Sequence, residues 1–300
     1  MFKNSKKKVD RSWRLCQILV ARGKKQHNTH TKNMKKTLLI AVAALAAGIV
    51  STQAQAVYSQ NIVGYVNLSV APNGFSLLSN PLDTYNASGA IDNSATNVFV
   101  NKWDPVNGGP LDGSSLLIWN GGGYDSYYFD SNPADTTTGF TDFSGAPVAC
   151  PILSPGLGFY FNNQTTTNAI QVTGAVRGST STGLFITNTV GKVLNFYLVG
   201  SPLPIAGDLV TNLQFKNVWD PINGGPLDGC EIQVPIYTAG HGNISGYNTY
   251  YFDSNPADTS TGFTDFSGAP VAAPQVTVGQ GFFFSNQTPG NYPWVQNVIF

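Results

Sequence analysis

One stretch of the chain occurs twice with almost no change. Tyr127–Ala149 and Tyr250–Ala272 differ at a single position, where Thr137 of the first copy is Ser260 in the second. A shorter block precedes each copy, as WDPVNGGPLDG at Trp103–Gly113 and as WDPINGGPLDG at Trp219–Gly229. Blocks that recur in the same order indicate two homologous units. The rest of the chain is then a scaffold that displays the blocks twice.

The segments outside these blocks have the pattern of short β-strands. In the first repeat, Leu116–Trp119 and Tyr124–Phe129 are rich in apolar and aromatic residues, and Asn120–Gly123 joins them, which is typical of a hairpin. Similar segments separated by Gly, Pro and Asn follow along both repeats, and no helical periodicity is sustained. The sequence therefore predicts an all-β protein with two tandem homologous β-sandwich or barrel-like domains. A single larger sandwich built from both halves is the alternative.

The first 56 residues are interpreted as a leader and an export signal. After Met34, two lysines precede the apolar run Leu38–Val50, and an Ala-x-Ala site ends at Ala56, which is the pattern of a cleaved secretory signal peptide. The run is shorter than the roughly 20 residues that a membrane-spanning helix needs. We therefore expect a secreted or cell-surface protein whose mature chain has no transmembrane segment. The predicted organisation is a basic leader that is non-native or an extension of the signal (1–33), a signal peptide (34–56), repeat 1 (57–176), a linker (177–183) and repeat 2 (184–300).

Removal of residues 1–56 changes the charge of the protein. Residues 57–300 contain four strong bases and fifteen acids, a formal net charge of −11, whereas the whole chain is neutral. Such an acidic chain repels phosphate backbones, which argues against nucleic-acid binding. Its many aromatic and branched apolar residues can bury a core, so its high content of Asn, Thr, Ser and Gly does not indicate disorder.

Several segments of the mature chain resemble a group of secreted bacterial repeat proteins. The mature start SQNIVGYVN, the stretch GYVNLSVAPNGFSLLSNPL and the motif LSPGLGFYFNNQT are similar to uncharacterised secreted β-rich repeat proteins of verrucomicrobial and planctomycete-type bacteria, whose repeats carry an LxPGxGFFxxN motif. The resemblance covers almost all of residues 57–300. It implies an exported β-rich protein, and it assigns no site residues.

Acidic and amide side chains of the long duplicated block are candidate calcium ligands. Calcium takes roughly six to eight oxygen ligands. The same residue types also form turns by bonding to the nearby backbone, which is the alternative role. The candidates are Asp130, Asn132, Asp135 and Asp142, with Asp253, Asn255, Asp258 and Asp265 as their counterparts. The shorter block offers further oxygen donors in Asp104, Asn107 and Asp112, with the counterparts Asp220, Asn223 and Asp228.

Aromatic side chains beside these turns are candidate sugar-binding residues. Two copies of such a site would raise the avidity for a polymer. Packing in the core is the alternative, because aromatic residues of β proteins commonly lie inside and because Tyr127 and Phe129 alternate with Tyr128 along one strand. The candidates are Trp103, Trp219, Trp119, Tyr128 and Tyr251.

Residues that could support catalysis or cross-linking are few. His241 is the single histidine of residues 57–300 and belongs to a loop inserted in repeat 2, so no Ser–His–Asp set recurs. Asp130 with Asp142 is the nearest carboxylate pair for a glycosidase. Cys150 and Cys230 either form one disulfide between the repeats or are two separate buried thiols.

These observations predict an exported cell-surface or extracellular structural or adhesion protein without catalytic activity. A non-catalytic carbohydrate-binding protein is the alternative, and a glycoside hydrolase comes third. The expected partners are a polysaccharide or other envelope proteins. Calcium is the one cofactor that the sequence suggests.

Overall fold

The regular secondary structure of the described residues is almost entirely antiparallel β-strand. The computed structural model describes residues 63–177, 182–188, 195–215, 223–225, 227–239, 242–255, 261–287 and 290–296, so the predicted leader and signal peptide lie outside the described residues. The described residues contain one short helix, α1 (Ala95–Val98), beside the strands. The predicted all-β class is therefore confirmed.

Sixteen strands are present in the described part of the chain. Repeat 1 contains β1 (Val63–Ser69), β2 (Gly74–Ser79), β3 (Ser115–Trp119), β4 (Tyr124–Phe129), β5 (Phe140–Thr141), β6 (Gly158–Asn163) and β7 (Ala169–Ala175). Repeat 2 contains β8 (Thr182–Asn188), β9 (Asn195–Gly200), β10 (Gly207–Asp208), β11 (Glu231–Tyr237), β12 (Ile244–Phe252), β13 (Phe263–Thr264), β14 (Gln275–Val276), β15 (Gly281–Asn286) and β16 (Gly290–Gln296). The strand β8 thus begins within the predicted linker.

Both repeats have the same strand order. In repeat 1 a five-stranded sheet has the order β2-β6-β3-β4-β5, and β1 pairs with β7 in a second sheet. In repeat 2 the corresponding sheets are β9-β15-β11-β12-β13 and β8 with β16, and β10 pairs with β14. The hairpin predicted around Asn120–Gly123 is formed by β3 and β4. The two repeats of the sequence therefore fold with the same strand order and pairing.

In each repeat, side chains of both sheets share one hydrophobic core. Leu68 of β1 and Val172 of β7 belong to the same buried cluster as Phe129 and Phe161 of the five-stranded sheet. The corresponding cluster of repeat 2 includes Trp294 of β16. Alternate residues of each strand face these cores because side chains along a strand have a period of two.

The two repeats contact each other through equivalent residues. The amide of Ser79 donates a 2.8 Å hydrogen bond to the carbonyl of Gly279, and the amide of Gly200 donates a 3.0 Å hydrogen bond to the carbonyl of Gly156. In the aligned repeats Ser79 corresponds to Gly200, and Gly156 corresponds to Gly279. Two isolated β-bridges between the repeats are equivalent in the same way, since Leu78 pairs with Gln280 and its counterpart Val199 pairs with Leu157. Reciprocal contacts of this kind are those that a two-fold axis generates.

Tyr160 and Phe283 lie where this approximate two-fold axis passes. They occupy equivalent positions in β6 and β15, and their ring centroids are 6.0 Å apart. The hydroxyl of Tyr160 also contacts the hydroxyl of Tyr247. Each is the middle residue of three consecutive aromatic residues, and its two neighbours are fully buried in the core of its own repeat. The other repeat therefore covers the second face of each strand.

A hairpin extension found in repeat 2 covers the outer edge of β2. The hydroxyl of Tyr237 accepts a 3.0 Å hydrogen bond from the amide of Leu77, and the side-chain oxygen of Asn243 accepts a 2.8 Å hydrogen bond from the amide of Phe75. Both acceptors belong to the extended end of the repeat 2 hairpin, a stretch that has no equivalent in the shorter hairpin of repeat 1. Because unpaired strand edges can pair with other chains, the extension protects this edge.

Residues 59–300 form one compact unit. Independent folding of each repeat, as two tandem domains would require, stays a prediction. Among the described residues, no helix has the length and apolar character needed to cross a membrane.

Candidate functional site

The two duplicated blocks of repeat 1 come together around an open groove of about 560 Å³. This acidic–aromatic groove is lined by Asp112, Gly113, Tyr128, Phe129, Asp130, Thr141, Asp142, Phe143 and Gly145. Each lining residue has an identical counterpart in repeat 2, namely Asp228, Gly229, Tyr251, Phe252, Asp253, Thr264, Asp265, Phe266 and Gly268. The duplicated sequence therefore contains the residues of one groove twice.

Asp112 joins the shorter block to the longer one. Its carboxylate accepts hydrogen bonds from the amide of Ser131 at 3.1 Å and from the hydroxyl of Ser131 at 3.0 Å. Asp228 makes the same two contacts with Ser254, at 3.2 and 3.4 Å. In each repeat, an aspartate of the shorter block thus holds a serine of the longer block, which is one structural reason why the two blocks occur together.

Asp142 fixes the turn that forms one wall of the groove. Its Oδ1 accepts hydrogen bonds from the amide of Ser144 at 2.8 Å, the hydroxyl of Ser144 at 2.6 Å and the amide of Ala146 at 2.9 Å. These bonds stabilise the charged carboxylate, so the pKa of Asp142 is lowered, chiefly by the Ser144 hydroxyl. Asp265 of repeat 2 forms the same turn, and the hydroxyl of Ser267 lowers its pKa.

Phe143 and Phe266 project from these two turns into solvent. Their exposed fractions are 86% and 87%, the highest of the large hydrophobic residues in the described chain. The ring of Phe143 lies 6.4 Å from that of Tyr128, measured between centroids, at an angle of 50°. Sequence reasoning missed both phenylalanines. The sequence offers only a weak signal, an aromatic residue between Asp and Ser-Gly, because Trp103 also precedes an Asp-containing turn and is buried.

The structure divides the predicted sugar-binding residues between the core and the surface. Trp103 is 2% exposed and packs between Phe129 and Phe140, with ring centroids 5.0 Å away in each case, so it offers no face to a ligand. Trp119 lies outside the groove and packs edge-on against Tyr124. Tyr128 lines the groove, Tyr251 is its half-buried counterpart, and Trp219 lies outside the described residues.

A single glycine shows how tightly the buried tryptophan is held. Gly139 has a φ of +81°, and a Cβ at this position would lie 2.3 Å from the Trp103 ring and 2.6 Å from Pro105. Asp104, which follows Trp103, accepts 2.7 Å hydrogen bonds from the amides of Val106 and Asn107. These backbone bonds lower the pKa of Asp104, with the Asn107 amide as the main cause. The shorter block is therefore a buried tryptophan followed by a surface turn.

The predicted calcium ligands are spread over neighbouring turns. Asp130 and Asp142 both line the groove, whereas the amide group of Asn132 donates a 2.6 Å hydrogen bond to Asp135 in the turn beside it. In repeat 2, Asp253 accepts a hydrogen bond from the amide of Asn255, Asp265 holds its turn, and Asp258 lies outside the described residues. Within the described ranges, no group of three or more His, Cys, Asp or Glu side chains is arranged to hold a metal ion. Calcium binding stays a prediction.

Cys150 and Cys230 are both free cysteines, so of the two interpretations the structure contains two separate thiols and not a disulfide between the repeats. Cys150 is half-buried in repeat 1, where its thiol lies 3.9 Å from the hydroxyl of Thr96, and burial raises its pKa. Cys230 is buried in the core of repeat 2, where its sulfur accepts a 3.3 Å hydrogen bond from the amide of Gln287. Each thiol thus belongs to the interior of a different repeat. His241 lies outside the described residues.

Comparison with protein-family models finds none that matches the chain, and comparisons with curated proteins and with solved structures find no significant match.

Proposed function

We propose that the protein is an exported cell-surface or extracellular adhesion module without catalytic activity, which binds through the acidic–aromatic groove and its repeat 2 counterpart. The observation that carries the proposal is the paired exposure of Phe143 and Phe266 at 86% and 87%. Burial of a phenylalanine side chain stabilises a protein by about 1.5–3 kcal/mol, so the unbound protein lacks this stabilisation at each exposed ring. A partner that covers the rings recovers it.

The duplication strengthens the same proposal. Two copies of one weak site on a single chain raise the overall affinity for a partner that presents repeated sites, such as a polymer or a cell envelope. The interlocked repeats would hold the two copies on one body, whereas a flexible linker would leave their separation variable. The signal-peptide pattern that ends at Ala56 supports an extracellular setting for such binding.

The test is retention of the mature chain on an envelope preparation of the bacterium that produces it. We expect the double variant Phe143→Ala, Phe266→Ala to sediment with the envelope at least about tenfold less than the unchanged protein, since roughly 1.4 kcal/mol corresponds to a tenfold change in an equilibrium constant. The matched control is Ile91→Ser, an exposed apolar residue outside the groove, with an exposed fraction of 61%. Equal retention of the double variant and the control would rule out these loops as the adhesive surface.

Carbohydrate binding without hydrolysis is the second candidate. It is favoured by the ring pair of Tyr128 and Phe143, which borders a groove that also contains carboxylates able to accept hydrogen bonds from sugar hydroxyls. A glycan array probed with the mature chain tests it, and binding that disappears in the phenylalanine double variant would support it. Hydrolysis by Asp130 and Asp142 would instead release reducing ends from the bound polysaccharide.

A further inference from the structure

We infer that the ligand of the acidic–aromatic groove is a positively charged side chain of a partner polypeptide, an arginine or a lysine. The inference rests on the proposed function and names the chemistry of the partner. The cation would lie against the rings of Tyr128 and Phe143 and would pair with the carboxylates of Asp130 and Asp142. Three features of the groove lead to this assignment: the unused acceptor atoms of its carboxylates, its aromatic wall and its negative charge.

The carboxylates of the groove have acceptor capacity to spare. Asp142 uses Oδ1 for all three hydrogen bonds of its turn, and Asp130 uses Oδ1 for the amide of Asn132 at 2.9 Å. The Oδ2 atoms of both residues accept no hydrogen bond from the described part of the chain. An ionised carboxylate has about four lone-pair sites and forms its strongest hydrogen bonds with charged donors. The turns therefore hold each carboxylate rigidly and leave one oxygen of each for a ligand.

The aromatic wall suits the same ligand. Phe143 and Tyr128 present rings 6.4 Å apart, inclined at 50°, on the groove that contains these carboxylates. An ammonium or guanidinium group within about 6 Å of a ring centroid is attracted to the ring face, and the attraction is stronger where water is excluded. A guanidinium group can stack on a ring and pair with a carboxylate at the same time.

The described lining of the groove carries acidic groups without a basic partner. The nine lining residues include three aspartates and no lysine, arginine or histidine. Arg177 is already engaged in repeat 1, where its guanidinium group makes hydrogen bonds of 2.9 and 3.0 Å to Asp83. With a formal net charge of −11 on residues 57–300, the protein attracts cationic partners at long range as well. A neutral sugar could donate hydrogen bonds to these carboxylates, but it would leave their negative charge uncompensated.

Repeat 2 holds its two corresponding carboxylates in the same way. Asp253 uses Oδ1 for the amide of Asn255 at 2.9 Å, and Asp265 uses Oδ1 for its turn, beside the exposed Phe266. We therefore expect two equivalent sites on each chain.

Isothermal titration calorimetry of the mature chain tests the inference, with the peptide Gly-Ser-Arg-Gly-Arg-Ser-Gly as the probe. The same peptide with citrulline in place of arginine is the uncharged comparison. We expect two peptides to bind per chain, with at least tenfold weaker binding of the citrulline peptide. The variant Asp130→Asn, Asp142→Asn, Asp253→Asn, Asp265→Asn should weaken binding of the arginine peptide at least tenfold. Asparagine keeps the Oδ1 acceptor of each turn and removes the charge, so the loops should keep their conformation, which circular dichroism checks.

The control variant is Asp92→Asn, Asp104→Asn, Asp135→Asn, Asp208→Asn, which changes the net charge equally outside the groove and should bind the arginine peptide within about twofold of the unchanged protein.

Equal weakening of both variants would overturn the inference, because it would mean general attraction to an acidic protein. Equal binding of the two peptides would overturn it as well, as would calcium chloride titration that shows metal binding at the groove aspartates without peptide binding. If the peptide fails while the phenylalanine double variant still loses envelope retention, the proposed function stands and the cationic ligand is excluded.

Discussion

At the residue scale, the duplicated blocks contain aromatic residues with opposite roles. Trp103 is enclosed by Phe129, Phe140 and Gly139, whereas Phe143 has almost no protein around it. Each residue is adjacent to an Asp and has a Gly within five positions in the sequence, so local composition cannot separate them. Their difference arises from tertiary packing, because a ring is buried when distant strands close over it.

The tyrosines at the junction of the repeats give the protein a predicted sensitivity to alkali. Burial raises the pKa of Tyr237 from 10.0 to about 12 and also raises the pKa values of Tyr160 and Tyr247. A group whose pKa is higher in the folded state stabilises the fold fully below the unfolded-state pKa, and this stability is lost as the pH rises through the folded-state value. For Tyr237 that window runs from pH 10 to pH 12.

We therefore expect the melting temperature to fall steeply between pH 10 and pH 12, with Tyr237 accounting for about 2–3 kcal/mol of the lost stability. Thermal melts followed by circular dichroism, with tyrosinate absorbance recorded in parallel, measure this. Tyr237→Phe should be less stable at neutral pH, because the amide of Leu77 loses its acceptor, and should lose less stability above pH 10. Tyr65→Phe, at a position 70% exposed, is the control and should follow the unchanged protein. An identical alkaline loss in Tyr237→Phe would contradict the role of this residue.

At the element scale, the Gly-x-Gly motif before β6 and β15 serves the contact between the repeats. The first glycine of each motif lies in a turn, where Gly156 and Gly279 have φ values of +87° and +70°, in the left-handed region that favours glycine. The second glycine of each motif has another role. A Cβ on Gly158 would lie 2.7 Å from the backbone of Leu198, and a Cβ on Gly281 would lie 2.8 Å from the carbonyl oxygen of Leu78. The backbone of one repeat crosses the other at these two positions.

Gly158→Ala and Gly281→Ala should each destabilise the protein by roughly 1–3 kcal/mol, because the added methyl group forces two backbones apart. Urea unfolding monitored by fluorescence measures the change. The matched controls are Gly123→Ala and Gly246→Ala, at equivalent hairpin positions with nothing within 4 Å of the added Cβ. Those two variants should differ from the unchanged protein by less than about 0.5 kcal/mol. If Gly158→Ala is as stable as Gly123→Ala, the close crossing does not exist in solution.

At the scale of the whole molecule, reciprocal contacts join the repeats into one unit. The bonds of Ser79 and Gly200, the ring contact of Tyr160 with Phe283 and the hairpin extension that carries Tyr237 all cross between the repeats. The sequence predicts two tandem domains, and these contacts add the expectation that the two unfold together. An experiment can distinguish repeats that unfold independently from repeats that unfold together.

The two thiols are natural reporters for this distinction, since Cys150 lies in repeat 1 and Cys230 in repeat 2. Phe161→Ala, in the core of repeat 1, should cost about 3–5 kcal/mol. We expect it to accelerate the labelling of both thiols by a maleimide reagent under mildly denaturing conditions, as read by mass spectrometry. Ile91→Ser is the surface control and should change neither rate. Faster labelling of Cys150 alone would show that the repeats unfold independently.

The β class, the two repeats and the hairpins can be predicted from the amino-acid sequence, because alternation along a strand and the residues of tight turns are local properties. The pairing partners of Asp112 and Asp142 could in part be anticipated, since Asp commonly accepts hydrogen bonds within turns. The exposure of Phe143, the burial of Trp103 and the separation of the thiols could not. These features follow from the packing of the folded chain, because the exposure of a residue depends on which distant strands pack over it, and that information is spread over the whole sequence.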